Sequence, residues 1–303
     1  MTANLSGVRC QLRRFGLVAR QAETLVRFYE AAFGGIRTGS GRLDAGQSEK
    51  LLGVRGTARY ITIRLGSELI DFLQFGRPGR CYPRASAASD VIFQHFAIVV
   101  SEMRLALERL CAIPGWTPIT RGGPQRLPLS SGGVTAFKFR DPAGHPLELL
   151  ELPPDNIPLK WREGQGAIFF GIDHSAITVR DTLVSEQFYH GLGFMTSGRS
   201  VNQGPEQERL DDVTGAVVEV TALSAAGDGP HIELLCYRGV SRGAPIVCKS
   251  NDVAATRLEL EFEAPPVIEA STAIKDRAYK LLDPDGHHLI VLNHSSHRGP
   301  RDG

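Results

Sequence analysis

FKFRDPAGHPLELLEL, Phe137–Leu152, is the stretch whose reading decides the fold. Two apolar-rich runs flank Asp141-Pro142-Ala143-Gly144. Proline pre-sets φ at the second position of a turn and glycine suits the fourth, so the stretch predicts two strands joined in a hairpin. The same phrase returns as YKLLDPDGHHLIVLN, Tyr279–Asn293, with Asp283-Pro284-Asp285-Gly286 in the turn. A hairpin that recurs whole implies a chain built of repeated units.

Working outward, a second repeat appears. Phe28-Tyr29 in RFYEAAFGG matches Phe188-Tyr189 in QFYHGLGF, each after a short apolar run (FGLVAR, SAITVR). GQSEKLLGVRG from Gly46 then matches GPEQERLDDVTG from Gly204, and each half reaches an apolar strand with one acid in it, ELIDFLQF and HIELLCY. HFAIVV and SAITV are β-branched runs that predict strands. SEMRLALERL and DTLVSEQFYHGLG space apolar residues three and four apart and begin with Ser or Asp, which predicts capped helices. The unit is therefore strand, helix and three strands, with copies at about 8–76, 91–152, 168–238 and 243–294. The fold class is α+β with four βαβββ modules, laid out as one pair over 1–152, a Pro-rich linker at 153–167, a second pair over 168–294 and a tail at 295–303. Three prolines in LPPDNIPLKWREGQG argue for an extended path there.

Composition narrows the classes of function. A formal net charge of +1 gives no field to recruit nucleic acid or anionic membrane. No apolar run approaches the roughly 18 residues of a membrane span, and MTANLSGVRC has no apolar signal region. Cys10, Cys81, Cys111, Cys236 and Cys248 are scattered and odd in number, which fits reduced thiols and a cytoplasmic location.

Four residues hold matching places in the middle modules. His95 and His174 open the first strands (QHFAIVV, DHSAITV), and Glu148 and Glu233 lie in the last strands (PLELLEL, HIELLCY). Strand side chains alternate, so Glu148 projects from a surface otherwise made of Leu and Ile and needs a partner, a proton or a cation. Imidazole with carboxylate is a ligand set for Zn, Ni, Mn, Co or Fe(II). A single histidine at a strand end is usually structural, but two at matching places, each with a matching acid, shift the weight to a site.

These features resemble the vicinal oxygen chelate superfamily, which includes glyoxalase I, extradiol dioxygenases and bleomycin-resistance proteins. The resemblance implies that modules pair into two cupped mixed sheets, with ligands from the first and last strands of both partners and a metal that holds substrate oxygens. Carried over, the positions in the first module are Arg14 and Asp71; in the fourth, with Asp252 of SNDVAAT standing for Asp181 at the helix start, they are a place near Pro245 and Ile290. Pairing 1 with 2 and 3 with 4 would give each cup half a ligand set. Pairing 2 with 3 collects His95, Glu148, His174 and Glu233, which is the arrangement expected, with modules 1 and 4 forming a metal-free cup.

The function this implies is a metal-dependent lyase or isomerase of the glyoxalase type, on a small oxygenated substrate, with Glu148 or Glu233 moving a proton. The alternatives are an Fe(II) extradiol-type dioxygenase and a non-catalytic small-molecule binding protein. Gln207 and Arg209, in GPEQERLDD, are candidate substrate contacts in a lid, against the plainer reading of a solvated loop. His145, His287 and His288 read as exposed hairpin residues, His231 as loop, and Arg14 with Asp71 as an ion pair. A homodimer is compatible with all of this.

Overall fold

The computed structural model describes residues 10–162, 166–240, 246–263 and 278–293. The first module runs β1 (Cys10–Val18), α1 (Ala22–Phe33), β2 (Ile36–Leu43), α2 (Ala45–Leu52), β3 (Ala58–Leu65) and β4 (Glu68–Phe75). The second runs β5 (Gln94–Val100), α3 (Met103–Cys111), β6 (Thr117–Pro118), β7 (Gln125–Arg126), β8 (Thr135–Arg140) and β9 (Pro146–Glu151). After α4 (Leu159–Arg162) comes the third, with β10 (Phe169–Thr178), α5 (Thr182–Gly191), β11 (Met195–Gln203), α6 (Pro205–Asp211), β12 (Val217–Ser224) and β13 (His231–Arg238). The fourth contributes β14 (Arg257–Phe262), β15 (Ala278–Leu282) and β16 (His288–Asn293).

The strands form two mixed sheets. One is ordered β11-β12-β13-β10-β5-β9-β8-β6 and the other β15-β16-β14-β1-β4-β3-β2, so the second module shares a sheet with the third and the first with the fourth. The joins are antiparallel, β10 on β5 and β1 on β14. Alternation sorts the side chains into two faces. Phe96, Ile98, Leu147, Leu149, Ile177 and Leu234 point into one core shared with Phe15, Leu17, Phe72, Leu258 and Leu289 of the other sheet. The sheets thus pack back to back, with Phe15 and Phe96 rings 5.3 Å apart, and their other faces form two separate cups. The helices α1, α3 and α5 add Tyr29, Phe33, Leu110 and Tyr189 to the same core.

The repeated hairpin is a clasp between modules. Gly144 N–H donates to the Asp141 carbonyl at 2.9 Å and Gly144 has φ +99°, a value that favours glycine, as the turn requires. The Asp141 carboxylate accepts from the Ala143 and His145 backbone N–H groups at 2.8 and 3.0 Å and from the Tyr29 hydroxyl of α1 at 3.1 Å. His145 Nδ1 lies 2.8 Å from the same carboxylate, and its Nε2 donates to the Val18 carbonyl at 3.1 Å. The copy repeats this: Asp283 takes the Tyr189 hydroxyl at 3.2 Å and His287 N–H at 2.8 Å, while His287 Nε2 donates to the Thr178 carbonyl at 3.0 Å. The expectation that His145, His287 and His288 are exposed is therefore wrong: all three are buried, the first two because they reach across to the preceding module's first strand.

Other expectations shift in detail. Asp181 caps α5 by accepting from Leu183 and Val184 N–H, whereas α3 begins after Glu102 with no side-chain cap. The segment at 153–167 is less extended than its prolines suggest, holding a 3-10 turn at Pro154–Asn156 and α4 with a buried Trp161. The tail at 295–303 and Pro245 lie outside the described residues. Asp252 does not start a helix after a first strand. It precedes β14 and binds Arg80 at 2.6 Å, so aligning the fourth module on it misplaced the histidine position. In the pairing of β1 with β14, Gly16 faces Arg257 as Ala176 faces His95, which puts Arg257 at that place. Among the described residues no helix is long and apolar enough to cross a membrane.

The clasp has a measurable weight. Tyr29→Phe removes one hydrogen bond and should cost about 1 kcal/mol, whereas Asp141→Ala strands several buried donors and should cost about 3 kcal/mol or more in urea unfolding. Equal losses in the two variants would contradict a clasp centred on Asp141.

Candidate metal centre

Four strands in the middle of the larger sheet bring the matching residues together. In the register of β5, β9, β10 and β13, His95 lies opposite Ala176, Glu148 beside Ala97, and Glu233 between Ala176 and Ala222. Alanines on the cup face leave room for the long polar side chains, which lean over them. His95 Nε2 is 3.1 Å from Glu148 Oε2, and His174 Nε2 is 3.6 Å from both Glu148 Oε2 and Glu233 Oε2. Ligand atoms of His95, Glu148 and His174 all lie within 4.8 Å of one another. Glu233 stands at the edge of this trio, its other oxygen 3.6 Å from His231 Nε2.

The His174 ring is held from behind. Its Nδ1 lies 3.0 Å from Asp173 Oδ2, and its Nε2 is buried with no hydrogen-bond partner. This carboxylate–histidine arrangement is the usual support of a metal-binding imidazole, fixing the ring so that the other nitrogen faces the ion. His231 begins β13 rather than sitting in a loop, with its ring 5.2 Å from that of His174. Asp173, His174 and His231 make a second close group beside the first.

The electrostatics follow from the acids. Burial works against the His174 imidazolium, but Glu233, Asp173 and Glu148 outweigh it and hold the ring well above the ordinary histidine value. Burial likewise opposes the Glu148 carboxylate, yet Lys138, His174 and His95 hold it well below the usual range. Asp173 is drawn down to about 2 against burial, chiefly by His174. His95 is pushed down by burial and by Lys138. Two imidazoles of opposite tendency thus share one carboxylate.

Sequence reasoning missed Lys138. It lies directly across the hairpin from Glu148, on the cup face, and is buried with Nζ 2.6 Å from Asp211 Oδ1 of α6. The other Asp211 oxygen accepts from Gln207 Nε2 at 2.6 Å and from the Tyr237 hydroxyl at 2.7 Å. Its signal was available in FKFR, where a lysine alternates with two phenylalanines that face the core. The acidic stretch of α6 is no solvated loop: Gln207, Leu210 and Asp211 are buried over the cup. Together these elements enclose a cavity of about 380 Å³ whose walls include His95, Glu148, His174, Glu233, Lys138 and Gln207. Arg209 does not join them; it points away, binding Gln125 at 2.7 Å and pairing with Glu206.

Comparison with known proteins bears on the fold. No protein-family model matches the sequence, and no curated protein matches it. Among solved structures, glyoxalase I from Zea mays is similar at 13% identity and TM-score 0.59, over 95% of this chain and 94% of that one. A putative dioxygenase from Bacillus subtilis is similar at 12% identity and TM-score 0.53, over 93% of this chain and 84% of that one. The architecture is the glyoxalase/bleomycin-resistance/dioxygenase fold that the repeated hairpins led us to expect.

The Lys138–Asp211 pair gives a prediction independent of any ligand. Lys138→Met leaves Asp211 buried without its cation and should cost about 3–5 kcal/mol in chemical unfolding. Adding Asp211→Asn should recover much of that loss; no recovery would mean that the charge pairing is not what the site depends on.

Proposed function

We propose that the cup holds a divalent metal ion on His95, Glu148 and His174, with Glu233 beside it, and that the protein is a lyase or isomerase of the glyoxalase type. The observation that carries this reading is His174 Nε2, buried, unpartnered and 3.6 Å from two carboxylate oxygens. A divalent cation at that point would replace the proton that the same acids hold on His174, and would meet both carboxylates with more charge. Charge supports it too. The carboxylates Glu148, Asp173, Asp211 and Glu233 outnumber the cationic Lys138, Arg199 and raised His174 by one, so the cup carries a small surplus of negative charge.

A divalent ion there would supply a Lewis acid for a carbonyl oxygen of the substrate. The protein's own groups then divide the work. Glu148, fixed between two histidines and Lys138, remains a carboxylate. Glu233, outside the close trio, is the group free to take a proton from the carbon next to that carbonyl and return it to a neighbouring atom. His231 holds the second Glu233 oxygen and sets its direction. Leu127, Val134, Leu150, Leu210, Val220 and Leu235 form the apolar part of the lining, against a polar side that includes Arg199, Ser200 and Asn202.

One observation favours a second reading. Two histidines and one carboxylate are the ligand set of Fe(II) oxygenases, and Glu233 standing apart would leave positions for substrate and O2. Iron-dependent oxygen uptake with catechol, absent with Zn, Ni, Mn or Co, would select it.

Elemental analysis of purified protein tests the site. Metal content should fall sharply in His95→Ala and Glu148→Ala, and persist in Glu233→Gln; content unchanged in the first two ends the proposal. Because His174 is raised well above its ordinary value, neutral protein carries a proton there that a metal must displace. Affinity should therefore rise with pH through the neutral range, and titration with Zn in buffers of different ionisation enthalpy should show proton release.

A further inference from the structure

Strand alternation alone would send Asp173 and His174 to opposite faces of β10, yet both line the central cup. The cause is a β-bulge. Ile172 pairs with Ile98 and His174 with Ala97, so Asp173 is an extra residue without a place in the ladder. The neighbouring strand adds a third group, since His231 stands beside His174 in the parallel register of β13, with its ring 5.2 Å away. Asp173 Oδ2 lies 3.0 Å from His174 Nδ1 and 3.8 Å from His231 Nδ1. These spacings bracket the roughly 3.3 Å between ligand atoms of a tetrahedral ion with bonds of about 2.0 Å. The three residues offer ligand atoms that all lie within 4.8 Å of one another. Unlike the buried inner trio, this group opens to solvent, with the His231 side chain 25% exposed.

We propose that Asp173, His174 Nδ1 and His231 Nδ1 form a second, outer metal site that shares the His174 ring with the inner one. Orienting His174 accounts for one contact of the Asp173 carboxylate, but not for a second imidazole converging on the same oxygen. Binding through Nδ1 leaves the His231 Nε2–H toward Glu233 Oε1, 3.6 Å away, so one ring serves ion and acid together. With both sites filled, His174 gives up both ring protons and bridges the ions as imidazolate, one on each nitrogen. Imidazole and carboxylate ligands suit Zn or Cu(II) rather than Mg or Ca. The smaller sheet has the same bulge, between Leu12 and Arg14, but fills it with Arg13 and Arg14. Those arginines pair with Glu261, Asp71 and Glu259, so the acids there already have their cations. The outer site rests on the proposed inner centre only for the bridge; its ligands are its own.

Copper(II) is the probe, because two such ions on one imidazolate couple their unpaired spins through the ring. The full chain, stripped with chelator, is titrated with Cu(II) in glycine buffer and followed by electron paramagnetic resonance at liquid-helium temperature. His231→Leu and Asp173→Asn should each bind one ion fewer per chain than wild type. In wild type the filling of the second site should quench the signal of the first, whereas in both variants the signal should persist undiminished. His95→Ala should lose the inner ion and keep the outer one, again without quenching. Copper content unchanged by both His231→Leu and Asp173→Asn overturns the outer site, and a loss in His95→Ala alone would then leave the inner centre standing. An ion lost in His231→Leu and Asp173→Asn but not in His95→Ala removes the inner centre and leaves the outer ligands confirmed. Two ions bound in wild type with their signals simply adding overturns the shared ring.

Discussion

The constraint on which the rest depends is the register of β5 against β10. These two strands come from different modules, and their antiparallel pairing sets His95 against Ala176 and His174 against Ala97. Because side chains alternate, a slip of one residue would carry Phe96 into the cup and His95 into the core. The parallel pairings of β9 and β13 on either side then place Glu148 and Glu233 on the same face. Four chemically demanding side chains are thus assembled by backbone hydrogen bonds before any of them touches another.

The smaller sheet shows what the same geometry does with other residues. Arg14, at the place of His174, lies 3.4 Å from Asp71 and 3.2 Å from Glu259, and the Thr62 hydroxyl reaches Asp71 at 2.5 Å. Ile290 stands where Glu148 does, packed with Val18 and Leu52 of α2. Burial pushes Glu259 up to about 7, a sign that even here carboxylates are held at some cost. The scaffold is the same; ion pairs and aliphatic packing replace an imidazole–carboxylate set.

Much of this was legible in the chain because it rests on local rules. The Asp-Pro-x-Gly hairpins, the Phe-Tyr helices and the alternation around His95 and Glu148 are short-range signals. The choice between module pairings followed from counting which residues could share a cup. What escaped was long-range. His145 and His287 looked like turn residues because nothing nearby in sequence reveals a carbonyl at Val18 or Thr178. Lys138 and Asp211 are far apart in the chain, and each alone looks like a surface charge. The fourth module's first strand was misplaced because Asp252 mimics a helix cap while serving Arg80.

The pairing of β1 with β14 has a topological meaning. The first module is joined to the fourth through a continuous ladder, the second to the third through another, and the hairpin clasps tie the first to the second and the third to the fourth. The modules therefore form a closed ring rather than a string. Each has two neighbours, and none is an appendage that could be trimmed without opening a sheet and orphaning one half of a buried tyrosine–aspartate clasp at once. The cup built on Arg14 and Asp71 is held in the molecule by this closure, whatever chemistry it has or lacks.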